Sequence, residues 1–155
     1  FLLTHGVSRV RVCLETLAAL GAMILGLNLF YLPCGAGGIA IIKESVEWGK
    51  LLRYHGTLLL MHLEIGALCF GLSAFLRRGG LGLGMGLAAL LYFAGILINL
   101  DCGLDWLRFF TPYYYADAAR VFAREAIAGP MAAGCALGML GAGAGLWWYG
   151  RKDIA

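Results

Sequence analysis

Four polar side chains interrupt stretches that are otherwise apolar enough to lie in a bilayer: Asn28, His62, Glu64 and Asn99. Glu64 is the most demanding, because an intramembrane acid costs on the order of 2.5 kcal/mol or more unless it faces protein or water. It lies seven residues beyond Thr57, about 10 Å along a helix. A polar pocket shared by three spans, serving as a vestibule or gate, is one interpretation of these residues. A satisfied structural hydrogen bond is the other, and both stay open.

Sequence motifs that carry other chemistry are absent. Gly35–Ile42 reaches Lys43 without the Gly-Lys-Ser/Thr ending of a phosphate-binding loop, and neither HExxH nor GxSxG occurs. His55 and His62 share one predicted helix, so they cannot approach a haem from opposite sides. The five cysteines lack the short CxxC spacing of a metal site. We therefore predict no catalytic residue, no metal and no cofactor, and a protein that is not an enzyme.

Membrane helices must position these polar residues. The chain is 61% hydrophobic and 14% charged, with a mean hydropathy of +0.82, whereas soluble domains are roughly 25% charged. At about 20 apolar residues per crossing, residues 1–155 form one all-α integral membrane domain with four transmembrane helices. The predicted spans are about 12–32, 57–76, 81–100 and 130–149. No basic run or basic face is present, so we predict no nucleic-acid partner.

Two prolines and one tight turn set the predicted ends of the spans. Pro33 should end the first span, because proline cannot continue a helix, and Pro130 suits the start of the fourth. The turn Arg77–Gly80 is short enough to make the second and third spans antiparallel neighbours. Its arginines mark the cytoplasmic side by the positive-inside rule. The N-terminal segment and the C-terminus are then cytoplasmic, and residues 33–56 and 101–129 lie outside.

The two outer segments are expected to lie on the membrane surface. Residues 33–56 predict a short interfacial helix anchored by Trp48 and Tyr54. Leu104–Phe122 is both aromatic and charged, which predicts an outer interfacial helix pair between the third and fourth spans. This pair would cap the external mouth of a pathway or serve as a plain interfacial anchor. The cap residues are Trp106, Phe110, Thr111, Pro112, Tyr113, Tyr115 and Asp117.

Glycine pairs spaced four residues apart favour close helix packing within the membrane. The pairing serves either packing inside the chain or contact with a second subunit, and the sequence allows both. The pairs are Gly82 and Gly86 in the third span, and Gly134 and Gly138 with Gly141 and Gly145 in the fourth.

Three short motifs together resemble the later part of a type-2 ABC exporter permease. Gly6–Arg9 is similar to the Pro-Val-Ser-Arg-like signature of a cytoplasmic coupling helix that precedes the third span of that family, with Gly6 in place of proline. Phe110–Ala118 looks like the Leu-Ser-Pro-Phe-x-Tyr-like core between the fifth and sixth spans. Trp148–Ile154 is similar to the aromatic, basic and Asp-Ile closure of the family.

The resemblance implies that this chain holds the last four of six spans of a bacterial plasma-membrane exporter subunit. Such a subunit pairs with a second permease subunit, as a homodimer or a heterodimer, within the lipid bilayer. A separate cytoplasmic ABC ATPase would drive it through residues 1–11, where the coupling residues would be Val7, Ser8, Arg9 and Arg11. The alternative is a non-transporting membrane scaffold or assembly subunit that docks partners through its glycine grooves and aromatic segment.

Overall fold

The computed structural model describes residues 8–76, 80–100 and 103–151, and these ranges are helical with no strand. The predicted all-α fold is therefore confirmed. The helices are α1 (Arg9–Ile41), α2 (Trp48–Phe75), α3 (Gly80–Asn99), a 3-10 helix (Asp105–Phe109), α4 (Pro112–Tyr115), α5 (Ala118–Ala123) and α6 (Ala128–Arg151).

Four of these helices, α1, α2, α3 and α6, are long and apolar enough to cross a membrane. The 20 residues of α3 span about 30 Å at 1.5 Å per residue, which matches the hydrocarbon layer. The 28 residues of α2 span about 42 Å, so its end turns reach the headgroup layer or the helix tilts.

The first helix does not end at Pro33, so that prediction is wrong: α1 continues through the proline to Ile41. Proline removes one backbone hydrogen bond, but an apolar surrounding and a packed neighbour allow membrane helices to tolerate this. Here the neighbour is α2, since a Cβ added to Gly35 would lie 3.3 Å from Nε2 of His55. The helix ends where Lys43 takes a φ of 61°, with its N–H donating to the carbonyl of Ala40 at 3.0 Å.

The separate interfacial helix predicted within residues 33–56 is also absent. Residues 42–47 form the whole connection, and Trp48 and Tyr54 belong to the first turns of α2. The N–H of Leu51 donates to the carbonyl of Glu47 at 3.0 Å, which begins the helix at this point. Trp48 remains exposed, as an interfacial anchor requires.

α2 lies at the centre of the bundle and packs most closely against α6. A Cβ added to Gly145 would lie 2.9 Å from the Cα of Gly71, and a Cβ on Gly71 would overlap the carbonyl of Gly141. Only glycine permits this approach. The glycine pairs of α6 thus serve packing inside the chain, whereas Gly82 and Gly86 on α3 have nothing within 4 Å.

The four long helices alternate in direction and define two faces. At the first face, which we call the N-terminal face, the rings of Phe75 and Trp148 lie 5.1 Å apart, and a Cβ on Gly150 would lie 3.7 Å from Cγ2 of Val10. The opposite face carries residues 42–47 and 103–127. The arginines predicted to mark the cytoplasmic turn, Arg77 and Arg78, lie outside the described residues.

Candidate functional site

Residues 103–127, here called the re-entrant segment, fold back between the long helices. The hydroxyl of Thr111 donates a 2.7 Å hydrogen bond to the carbonyl of Leu91, and the contact is buried. Leu91 lies eight residues before Asn99, where α3 ends, which is about 12 Å below that end. The helix pair predicted between the third and fourth spans is present, but Thr111 before its first helix packs against the middle of α3 rather than against the end of that helix.

The local sequence explains this path. Thr111 is extended, as a residue before proline prefers, and Pro112 opens α4, where its missing N–H is tolerated. After this single turn, the side chain of Asp117 accepts a 3.2 Å bond from the N–H of Arg120 and caps α5. Arg124 ends α5 in the left-handed conformation, with a φ of 58°. These caps and turns reverse the chain within a short segment.

The cap residues divide into a buried group and an exposed group. Thr111, Pro112 and Tyr115 are fully buried, whereas Trp106 and Phe110 are exposed with ring centroids 5.8 Å apart. Tyr113 and Asp117 are half-buried. A Cβ on Gly95 of α3 would lie 3.1 Å from the Cβ of Tyr113. The absence of a side chain at Gly95 therefore allows Tyr113 to pack closely against α3.

The deepest contact of the re-entrant segment joins Tyr115 to Glu64. The phenol of Tyr115, which is 0% exposed, donates a 2.7 Å hydrogen bond to Oε2 of Glu64, which is 3% exposed. Burial, together with the hydrogen bond to the Glu64 carboxyl, raises the pKa of the Tyr115 phenol, so it keeps its proton and remains a donor. Oε1 of Glu64 has no partner within the described residues. The carboxyl lies against Gly134, where any Cβ would overlap it.

A second polar pair joins α1 to α2. Nδ2 of Asn28 lies 3.2 Å from Nδ1 of His62 and donates to the carbonyl of Ile24 at 2.9 Å. Asn28 is buried and His62 is half-buried. Because the amide nitrogen can only donate, Nδ1 of His62 accepts in this pair. This contact links α1 to α2, while the buried Oδ1 of Asn28 has no partner within the described residues.

Asn99 belongs to a third, more exposed cluster at the opposite face. Its Oδ1 accepts a 2.8 Å hydrogen bond from Nη2 of Arg120, whose Nη1 pairs with Oε2 of Glu125 at 2.8 Å. The same guanidinium lies 4.2 Å from the ring centroid of Tyr114. Arg120 thus fastens the re-entrant segment to the end of α3.

The structure does not bring Glu64, Asn28 and Asn99 into one polar pocket, so the prediction of a shared pocket is wrong. A role of Glu64 as a gate stays a prediction. His62 and Glu64 are two residues apart on a helix and point in roughly opposite directions. His62 therefore meets α1, while Glu64 meets α6 and the re-entrant segment. Each polar residue has a different partner instead.

Two contacts were not predicted from the sequence: that of Arg120 with Asn99, and that of the Glu64 carboxyl with Gly134, which was expected only to pack against another helix. A signal existed for each. Asn99 lies at the end of a membrane helix, where its side chain needs a polar partner. Gly134 is the first glycine of the small-residue face of α6, and a long side chain can pack against such a face.

An apolar groove of about 340 Å³ lies between α1, α2 and α6, beside Glu64. Its walls are aliphatic except for Glu64 and Cys135, and they include Leu20, Ile24 and Met139. Among the residues that the structure describes, no group of three or more His, Cys, Asp or Glu could hold a metal ion.

The predicted coupling residues are described only in part. Val7 lies outside the described residues, and so does the side chain of Arg9. Ser8 caps α1, since its hydroxyl accepts a 3.3 Å bond from the N–H of Arg11. Arg11 in turn pairs with Glu15 at 2.9 Å on the exposed surface. The cap alone explains the serine, and it also fixes where α1 begins.

These features define a multi-pass all-α membrane protein in which a re-entrant segment joins the third and fourth spans. No family model matches the chain, and no curated protein and no solved structure matches it either.

Proposed function

We propose that this chain is the membrane-spanning permease subunit of an ATP-binding-cassette exporter, driven by a separate cytoplasmic ATPase and working with a second permease subunit. The observation that carries the proposal is the seating of the aromatic segment between the third and fourth spans, where Tyr115 bonds Glu64. This is the segment whose Phe110–Ala118 motif resembles the corresponding part of exporter permeases. Its place in the chain order agrees with the resemblance.

The transport mechanism requires two arrangements of the helices, and ATP binding to the partner would favour one of them. In the present arrangement the re-entrant segment fills the space between α2, α3 and α6. Opening requires loss of the bonds from Thr111 to Leu91 and from Tyr115 to Glu64. The glycine contacts between α2 and α6 are close enough for these two helices to move as a unit.

The coupling path begins at the N-terminal face. Ser8 fixes the start of α1, and α1 is a single helix of 33 residues. A displacement of residues 1–11 would therefore be transmitted along one continuous helix to the Asn28–His62 contact with α2. In this proposal the N-terminal face is cytoplasmic, the opposite face is external, and the bilayer is the bacterial plasma membrane.

Co-expression with a candidate ABC ATPase from the same genome tests the proposal. The two proteins should purify together, and export in vesicles should require ATP. Arg9→Ala should lower ATP-driven export while the exposed Arg108→Ala, in the re-entrant segment, leaves export unchanged. ATP-independent transport at the full rate would overturn the proposal.

A non-transporting scaffold is the second candidate, and one observation favours it. The exposed face of α3 carries Gly82 and Gly86 with open space around them, next to Leu90 and Phe93. Another membrane helix could pack closely here. A scaffold would keep its function in the Arg9→Ala variant, which separates the two candidates.

A further inference from the structure

We propose that a groove between α2, α5 and α6 on the opposite face binds an anionic phospholipid through its headgroup phosphate. The groove has a volume of about 440 Å³. Two arginines from different elements line it, Arg53 of α2 and Arg124 at the end of α5, above apolar side chains of Val121, Ile127 and Met131. This combination of cationic and apolar walls matches a ligand with a charged head and hydrocarbon chains.

The positive charge of the groove is uncompensated. Within the described residues, Arg53 and Arg124 form neither an ion pair nor a hydrogen bond through their side chains. Glu125 also lines the groove, but its Oε2 is already bound to Arg120 at 2.8 Å. Arginine is the side chain best suited to such a phosphate, because its planar guanidinium can donate two parallel hydrogen bonds.

The depth of the groove fits a headgroup. The apolar run from Thr57 to Phe75 on α2 spans about 28 Å, close to the thickness of the hydrocarbon layer. Arg53 lies four residues before Thr57, about 6 Å above that layer, and exposed Trp48 follows the same helix outward. Met131 lies one turn inside α6. The charged end of the groove is therefore at the headgroup level, and its apolar end faces the lipid chains.

The backbone conformation of Arg124 is uncommon for a residue other than glycine. This residue has a φ of 58° and caps α5 in the left-handed conformation, a position that glycine normally occupies without strain. Its N–H donates to the carbonyl of Val121 at 3.3 Å, and Val121 is buried. Glycine would adopt this conformation with less backbone strain, so the turn itself does not require an arginine. We therefore assign the Arg124 side chain to the bound lipid.

The test is native mass spectrometry of the detergent-purified chain, incubated with phosphatidylglycerol or with phosphatidylcholine of the same acyl chains. Phosphatidylglycerol should stay bound to the wild type in preference to phosphatidylcholine. Arg53→Gln and Arg124→Gly should each reduce its retention about fivefold, because one arginine near a lipid phosphate is worth about 1 kcal/mol. Arg124→Gly should also fold at least as well as the wild type.

Arg108→Gln is the matched control. Arg108 is an exposed arginine of the re-entrant segment outside this groove, with its guanidinium 5.0 Å from the ring of Phe109. That variant should keep the bound phosphatidylglycerol. Equal retention of the two lipids by the wild type would overturn the proposal. So would full retention by the double Arg53→Gln, Arg124→Gly variant, or displacement of the lipid by millimolar inorganic phosphate alone.

Discussion

The phenol of Tyr115 reaches across 51 positions of the sequence to donate a 2.7 Å hydrogen bond to Glu64. Both groups are buried, and the carboxyl rests on Gly134 of a third element. One contact therefore ties α2, α4 and α6 together in the middle of the bundle. It also explains why an acidic residue is tolerated in a membrane helix, since the carboxyl faces protein rather than lipid.

Glu64→Gln should separate the structural role of this residue from a role in transport. The amide oxygen of glutamine can still accept from Tyr115, so the stability should change by about 1 kcal/mol or less. Thermal unfolding in detergent checks the fold, and the proposed ATP-driven export, measured in vesicles, checks function. Lower export by a normally folded protein supports a gate, and unchanged export would remove that interpretation.

Tyr115→Phe should destabilise the protein by about 1–3 kcal/mol, because it leaves Oε2 of Glu64 buried without a donor. Oε1 already has no partner within the described residues. Tyr92→Phe is the matched control, since Tyr92 is 51% exposed, and its effect should be within about 0.5 kcal/mol. Equal unfolding temperatures of the two variants would contradict the assigned role of the Tyr115 hydroxyl.

Gly134→Ala should lower the free energy of unfolding by about 1–3 kcal/mol. The new methyl group would overlap the carboxyl of Glu64 and push α2 and α6 apart. Gly143→Ala on the same helix should be neutral or stabilising by up to about 1 kcal/mol, as a Cβ there meets nothing within 4 Å. Unfolding of both variants under the same conditions gives the comparison. A Gly134 variant as stable as the Gly143 variant would show that the carboxyl is not seated there.

A single labelling experiment tests the proposed orientation. In a cysteine-free background, Ala119→Cys places a thiol at an exposed position of α5, beyond the Asp117 cap. A reagent that cannot cross the membrane should modify this cysteine from outside intact cells. If only inverted vesicles are labelled, both termini are external and the proposed direction of coupling is wrong.

The number of membrane helices and the place of the aromatic segment followed from the sequence, because both depend on the length and polarity of local stretches. Four apolar runs predict four crossings, and the aromatic and charged stretch Leu104–Phe122 predicts the short helices between the third and fourth. The end of the first helix did not follow, since the rule that proline stops a helix ignores a neighbouring helix. The packing of Gly35 against His55 is such a neighbour.

The partners of the polar residues were decided only by the tertiary structure. The sequence places Asn28, Glu64 and Asn99 at membrane depth, but their partners depend on which side of each helix faces which neighbour. His62 and Glu64 are two residues apart on α2, so their side chains point to opposite sides of the helix. His62 therefore contacts α1 and Glu64 contacts Tyr115. The close approach of α2 and α6 at their glycines sets these rotations, and such a contact depends on both helices at once rather than on either sequence alone.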